Sequence, residues 1–425
     1  MNGMQKVKKI LFLSALDFKE KSIQVIRKTP EAYSKAGWQV YYIVARDNSK
    51  YGNYFYEREI NPEGIKVIRF YWPLQRIRDT VESRILRTIL NKIAGYIVVF
   101  KLVLEGFKLI RKEEIDALYG YEVHGVLASH LLKLLGKFLL RKKFVHVVRF
   151  QGTKLSNVST FKLLLNIDEL VALWLPADLC IMTDDGTQGD AFLRKIKSRL
   201  LRDFRFYVNG IDDFKVSKSV VESVKRSLGL TSEKVFLTVC RLVSWKRVDR
   251  VIEVVNILVN KYNFRNFKHY IIGDGTEKKR LEDLVKRYEL QNYIEFLGAL
   301  PNEEVKKYYN VADIVILTYD VSNVGNPLLE AIRANNIIFT LNNGDTGKWI
   351  THYYNGFIYD INDELYEKMA QDILNVINNK ELYEYIKNNI RKTEKEKLWT
   401  WDERMNAEIK DVENLTKKLN NENKI

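Results

Sequence analysis

The chain has 425 residues, which suggests two to three domains, and 46% apolar with 29% charged residues excludes bulk disorder. Two cysteines, Cys180 and Cys240, exclude a disulfide framework or zinc ribbon and suit a reducing cytosol; five histidines without an H-E-x-x-H pair argue against a zinc hydrolase. Lys and Arg exceed Asp and Glu by 69 to 54, and the net charge of +15 predicts an anionic partner or surface.

In chain order, Lys9–Ala15 is a continuous apolar run of the kind buried on both faces of a parallel sheet. Its flanks, Lys8, Lys9 and Asp17, read as those of a first strand and not of a signal peptide. Ile23–Ala36 has helical spacing, with Gly37 where a C-cap glycine would sit. Strands are predicted at Gln39–Ala45, Lys66–Tyr71, Asp116–Tyr119, Phe144–Phe150, Leu179–Met182 and Arg205–Val208, with helical patterns between most of them. Turn residues then cluster in Asn209–Lys215, a predicted linker.

The alternation restarts beyond it. Strands are expected at Val235–Val239, His269–Ile272, Ile294–Phe296, Ile314–Thr318, Ile337–Thr340 and Gly356–Tyr359, and helices at Val248–Asn260, Thr276–Tyr288 and Asn302–Tyr309. Trp399–Asn420 is a last helix with no strand after it, and Asn421–Ile425 reads as a frayed tail. The expected fold class is α/β: two Rossmann-like, doubly wound domains facing a central cleft at the carboxyl ends of their strands. The expected division is 1–210, 211–395 and a returning helix at 396–425. The longest apolar run, Ile93–Phe100, falls short of the roughly 20 residues of a spanning helix, so no membrane crossing is predicted.

Three segments of the second half carry candidate chemistry. Arg241 and Lys246 leave the end of the strand Val235–Val239 together and could both reach a diphosphate, one as a fork and one as a point charge. A solvated basic loop would show the same residues. Ser322-Asn323-Val324-Gly325-Asn326-Pro327-Leu328-Leu329-Glu330 follows another strand. There Gly325 allows close backbone approach and Pro327 suits a first helical turn, whose free amides form an anion site. Glu330, one turn in, could accept hydrogen bonds from sugar hydroxyls or merely serve the helix dipole. Gly273-Asp274-Gly275 lacks the third glycine of a dinucleotide fingerprint and reads as a tight turn.

Together, "TVCRLVSWKRVDRVIEVV", "HYIIGDGTEKKRLEDLV", "IEFLGALPNEEVKKYYNVADIVILT" and "NVGNPLLEAI" resemble the donor half of glycosyltransferase family 4, retaining GT-B enzymes that use activated sugars. The resemblance is clear over roughly residues 205–360. It implies that Arg241 and Lys246 bind the donor diphosphate and that Glu330, the second acid of Glu-x7-Glu, binds the ribose. It also implies that Glu295, Phe296 and Leu297 line the base pocket. Trp399–Met405 resembles the helix that crosses back to the N-terminal domain. Two departures stand out. The first acid of Glu-x7-Glu is replaced by Ser322, with Asn323, Asn326 and Asp320 near enough to substitute. Gln151, before Gly152, stands where the family often carries a histidine, and glutamine is no general base. Asp17, in the loop after the first strand, is a further acceptor-side candidate.

Residues Arg76–Lys92 combine Arg76, Arg78, Arg84, Arg87 and Lys92 with an apolar repeat at Ile77, Val81, Ile85, Ile89 and Ile93. Such a face suits an anionic leaflet. A second cationic, apolar stretch, Leu131–Lys143, is expected to pack on the sheet instead. No nucleic-acid motif accompanies the charge. The expected function is retaining, metal-independent hexosyl transfer from a nucleoside-diphosphate sugar to a lipid-linked or cell-envelope glycan, needing no cofactor. The expected location is the inner face of the cell membrane. A sugar-nucleotide epimerase and a non-catalytic sugar-nucleotide-binding scaffold are the alternatives.

Overall fold

A computed structural model describes residues 7–18, 25–49, 59–153, 155–156 and 158–422. The chain divides into two compact units. Unit 1 holds residues 1–183, 189–207 and 401–425, and unit 2 holds 184–188 and 208–400. The boundaries differ by a few residues from the expected 210/211 and 395/396. Ile211 and Phe214, placed by the sequence in a linker, are buried in the core of unit 2, and Ile211 N–H donates to Trp399 O at 2.8 Å. Apolar residues at both ends therefore tie this segment down.

Unit 1 contains β1 (Lys9–Ser14), β2 (Gln39–Arg46), β3 (Ile65–Tyr71), β4 (Ala117–Tyr121), β5 (Val145–Phe150), β6 (Leu179–Thr183) and β7 (Phe204–Tyr207). They form one parallel sheet in the order β3-β2-β1-β4-β5-β6-β7. Unit 2 contains β8 (Lys234–Val239), β9 (Phe267–Ile272), β10 (Ile294–Gly298), β11 (Ile314–Leu317), β12 (Ile337–Leu341) and β13 (Phe357–Tyr359). These are also all parallel, in the order β10-β9-β8-β11-β12-β13. The central strands are buried on both faces, as their unbroken apolar runs require. In each sheet the strand order reverses once, at β1/β4 and at β8/β11. Ligands of open α/β sheets bind outside the carboxyl ends of the strands at such a switch point.

The first helix runs Val25–Lys35, with Gly37 in the left-handed region at φ +84°; residues 23 and 24 lie outside the described residues. The helix expected at Val248–Asn260 is α-helical only to Asn256 and closes with a π-helical turn, Ile257–Lys261. The last helix, Trp401–Glu422, belongs to unit 1. Its Trp401, Met405, Ile409 and Val412 enter the core formed with β1, β2 and β4. Its Glu408 takes Arg149 Nη1 at 2.9 Å, Arg404 Nη1 at 3.0 Å and the Tyr119 hydroxyl at 2.8 Å, all fully buried.

The basic stripe differs from its prediction. The chain is extended at Val81–Ser83, between a short helix Gln75–Thr80 and the long helix Arg84–Lys112, so Ile77 does not continue the stripe. Ser83 caps the long helix, accepting from Leu86 N–H. Arg78 is buried against Asp47, Ser49 and Asn91, and Lys92 pairs with Asp168 at 2.8 Å, so neither is a free surface cation. Ile85, Ile89, Ile93, Tyr96, Phe100 and Leu104 form an exposed row along the long helix. Its opposite face packs against the helix Glu122–Leu140, where a Cβ at Gly106 would lie 2.7 Å from Leu132 Cδ2. The second stretch packs less than expected: Leu132 and Gly136 are buried, but Leu131, Leu134, Phe138 and Leu139 are exposed. That helix is also long and apolar enough to cross a membrane by length and composition, which corrects the expectation that no segment reaches that length.

Candidate active site

The loop after β8 and the loop after β11 flank the switch point of unit 2, and between them they carry the candidate donor residues. Leu242 anchors the first loop: its side chain is buried, and its N–H and C=O bond to Asp274 O and Glu277 N–H, both at 2.9 Å. Gly273 and Gly275, at φ +142° and +159°, make this close approach possible, since a Cβ on either would collide with Cys240 O or Leu242 O. The G-x-G thus serves loop packing within unit 2.

Arg241 is exposed, 6.0 Å from the Trp245 ring. Lys246 Nζ lies 3.3 Å from the centre of the Tyr319 ring and 4.2 Å from that of Trp245. Tyr319 is itself fixed by its hydroxyl on Val239 O at 3.0 Å. Burial without a carboxylate lowers the Lys246 ammonium to about 7, and Arg241 adds repulsion. A lysine kept in this state gains most from an arriving anion.

Glu330 lies on the helix Asn326–Arg333, buried against Tyr309. Burial pushes its carboxyl up to about 7, opposed by the Tyr309 hydrogen bond and by Lys306. Pro327 has no N–H, and Leu329 N–H bonds to Gly325 O at 3.1 Å, so Asn326 and Leu328 supply the first-turn donors. The Leu328 and Leu329 side chains are in the core, so only the backbone of these two predicted donor residues can meet a ligand. Gly325 faces open space, its nearest would-be Cβ neighbour being Pro327 Cδ at 3.9 Å.

The polar substitutes proposed for the missing acid are occupied. Asn323 is buried, accepting from Tyr319 N–H at 2.9 Å and donating to Asn343 Oδ1 at 2.8 Å. Asp320 is paired with Arg250 at 2.8 Å and Arg247 at 3.3 Å. Asn326 Oδ1 accepts from Asn209 Nδ2 at 3.1 Å. Ser322 Oγ accepts from Val324 N–H at 3.1 Å. Glu295, on the edge strand β10, is exposed, while Phe296 and Leu297 are half-buried on the core. Among the described residues, no group of three or more His, Cys, Asp or Glu side chains is placed to hold a metal ion.

In unit 1 the switch point lies between Asp17, after β1, and Glu122, after β4. Asp17 has a buried side chain held by Arg69 Nε at 2.8 Å and Arg46 Nη1 at 3.3 Å, so its role is to organise two arginines and not to face an acceptor alone. Gln151 is exposed and donates through Nε2 to the Tyr121 hydroxyl, next to Gly152 at φ +139°. Its N–H is taken by Glu122 Oε1 at 2.8 Å.

The similarity to known proteins is concentrated in the second unit: the family model "Glycosyl transferases group 1" matches residues 221–393. Over these residues the chain is similar to that family. An uncharacterized glycosyltransferase of Methanocaldococcus jannaschii is 30% identical over 200 residues, 46% of this chain and 50% of its own. The alpha-monoglucosyldiacylglycerol synthase of Acholeplasma laidlawii is 27% identical over 146 residues, 34% of this chain and 36% of its own. The chain therefore spans half or less of the length of these curated relatives. The structure of Anabaena HepE in complex with UDP superposes with a TM-score of 0.69 at 16% identity, over 95% of this chain and 99% of that one. The fold is thus GT-B, with two doubly wound parallel sheets, as in that protein.

Within unit 2, Arg241 and Lys246 follow β8, and Glu330 lies on the helix that follows β11, the strand paired with β8. Sequence reasoning missed Glu122, directly after β4, whose carboxylate accepts from Gln151 N–H and so positions that candidate.

Proposed function

We propose that the chain is a retaining glycosyltransferase that moves a sugar from a nucleoside-diphosphate sugar to a lipid-linked or cell-envelope glycan. The observation that carries the donor half is that Arg241 and Lys246 follow β8 while the Asn326–Arg333 helix follows β11, the neighbour of β8 in the sheet. Two cations and two backbone donors there suit a diphosphate. Glu330 holds the ribose hydroxyls, and Glu295, Phe296 and Leu297 form the edge on which the base lies. As the anomeric carbon separates from the diphosphate oxygen, Arg241, Lys246 and the helix amides stabilise the charge that develops, without a metal. The acceptor hydroxyl bonds to the same carbon from the same face, and its proton passes to the leaving phosphate oxygen. No protein nucleophile is required, which fits a glutamine at position 151.

The acceptor half rests on unit 1. Its exposed apolar row from Ile85 to Leu104, with Phe138 and Leu139 on the neighbouring helix, lies among Arg84, Arg87, Lys101, Lys137 and Arg141. That combination suits an anionic cytosolic leaflet, where each nearby cation contributes about 1 kcal/mol. The Acholeplasma relative is named for the synthesis of a glucosylated lipid, alpha-monoglucosyldiacylglycerol. The test is a thermal-shift panel of UDP-, GDP-, ADP- and dTDP-sugars. A ligand bound only by the native state at a hundredfold over its Kd adds about 2.7 kcal/mol of stability. One nucleotide should raise Tm well above the others; no shift with any of the four overturns the donor assignment.

A further inference from the structure

The residue eight positions before Glu330 is Ser322, and its surroundings explain why no acid stands there. Ser322 is wedged between two glycine backbones, Gly186 at φ +75° and Gly344 at φ +54°. A Cβ on Gly186 would lie 2.9 Å from Ser322 Cβ, and one on Gly344 would lie 2.8 Å from it. A glutamate has no room at 322 while these backbones hold their places.

The segment that fills the space belongs to unit 2 although it comes early in the chain: residues 184–188. It brings two acids with it. Asp185 is committed to its own turn, accepting from Thr187 N–H at 3.1 Å and Thr187 Oγ1 at 2.6 Å. Asp184 accepts from Gly186 N–H through Oδ1 at 3.2 Å. Next to Gly344 is Asp345, only 3% exposed. One of its oxygens pairs with Lys348 at 2.8 Å, while the other, Oδ2, is buried with no hydrogen-bond partner among the described residues. A buried carboxylate oxygen is costly to leave unsatisfied, so this place suits a hydrogen-bond donor. Burial moves the Asp184 carboxyl up to about 6, opposed by the Gly186 N–H and reinforced by repulsion from Asp345.

We propose that Asp184 takes over the work of the absent acid, its carboxylate accepting hydrogen bonds from hydroxyl groups of the donor's sugar beside the Asp345 oxygen. The proposal deepens the donor reading above and rests on it. A sugar offers several hydroxyl donors, which suits the partnerless Asp345 oxygen and the neighbouring Asp184 carboxylate.

The test compares Asp184→Asn with the wild type by calorimetry, using the nucleoside diphosphate and the matching nucleotide-glucose chosen from the UDP, GDP, ADP and dTDP pairs. The diphosphate alone carries no sugar, so its binding also reports that the variant is folded. Diphosphate affinity should stay within about twofold, while nucleotide-sugar affinity falls roughly tenfold, the loss expected of one charge-assisted hydrogen bond. Asp184→Ala should behave alike, and Ser322→Glu should lower Tm and not restore affinity. Equal losses for both ligands, or none in either variant, overturn the proposal and leave the donor reading standing. A wild type that binds none of the four diphosphates overturns the donor reading itself.

Discussion

Lys246 Nζ sits 3.3 Å from the centre of the Tyr319 ring, in an aromatic cage with no carboxylate partner among the described residues. Its ammonium is lowered to about 7 by burial, and the Glu330 carboxyl is raised to about 7 by the same cause. The two groups have opposite requirements. Lys246 binds phosphate when protonated, so affinity falls as pH rises through about 7. Glu330 accepts ribose hydroxyls when ionised, so affinity falls as pH drops through about 7. Affinity for a nucleotide sugar, whose diphosphate diester does not titrate here, should therefore peak near pH 7. Lys246→Arg should flatten the alkaline limb, since guanidinium stays charged. A pH-independent Kd from pH 6 to 8.5 would refute this account.

The diphosphate clamp gives a second expectation. Arg241→Ala or Lys246→Ala should each weaken donor binding by about 1.5–3 kcal/mol, and the double variant should lose turnover with Tm little changed. Neither side chain is needed by the core: Arg241 is exposed, and among the described residues Lys246 rests against the Trp245 and Tyr319 rings. Equilibrium dialysis with labelled nucleotide reads the effect.

Glu330→Gln should remove the acid limb of the pH profile. It should also weaken nucleoside-diphosphate binding at neutral pH by about 1 kcal/mol, the worth of one hydrogen bond. Stability should shift as well. Because the folded state holds the Glu330 proton more tightly than the unfolded chain, the wild type loses stability as pH rises from about 4.5 to about 7. The glutamine variant lacks that slope, and urea denaturation at pH 5 and pH 7.5 measures the difference.

Glu408 anchors the final helix of unit 1 between Arg149 and Arg404, all three fully buried. Glu408→Ala leaves two guanidiniums without a counter-charge and should cost about 3–5 kcal/mol. Replacing Arg149, Arg404 and Glu408 together by Met, Met and Leu should recover much of that loss. Denaturant midpoints for the two variants decide it.

The membrane reading predicts pelleting with anionic liposomes at low salt and partial release by salt, since the Debye length is near 10 Å at about 0.1 M. Arg84→Glu with Arg87→Glu should weaken it, and Phe100→Ser with Phe138→Ser should do so independently. Donor binding, carried by residues of unit 2, should be unchanged. A wild type that stays in the supernatant removes the membrane from the proposal.

The alternation of apolar runs and helical spacing in this sequence was enough to place both sheets, because buried parallel strands must be continuously apolar. Motif spacing put Arg241 and Lys246 a few residues past one strand and Glu330 on the helix after another, and those strands, β8 and β11, are neighbours in the sheet. Other features depend on residues distant in the chain. Asp17 reads as a free acid until Arg46 and Arg69 close on it, and Asn323 reads as a sugar ligand until Tyr319 and Asn343 occupy it. Arg78 looks like a surface cation in a basic run, yet Asp47, Ser49 and Asn91 bury it. Ser322 looks like a plain loss until Gly186, 136 positions earlier (322 − 186), is found filling the volume a longer side chain would need. Local spacing fixes where a residue leaves its strand or helix; what neutralises, buries or crowds it is set by contacts that only the folded chain creates.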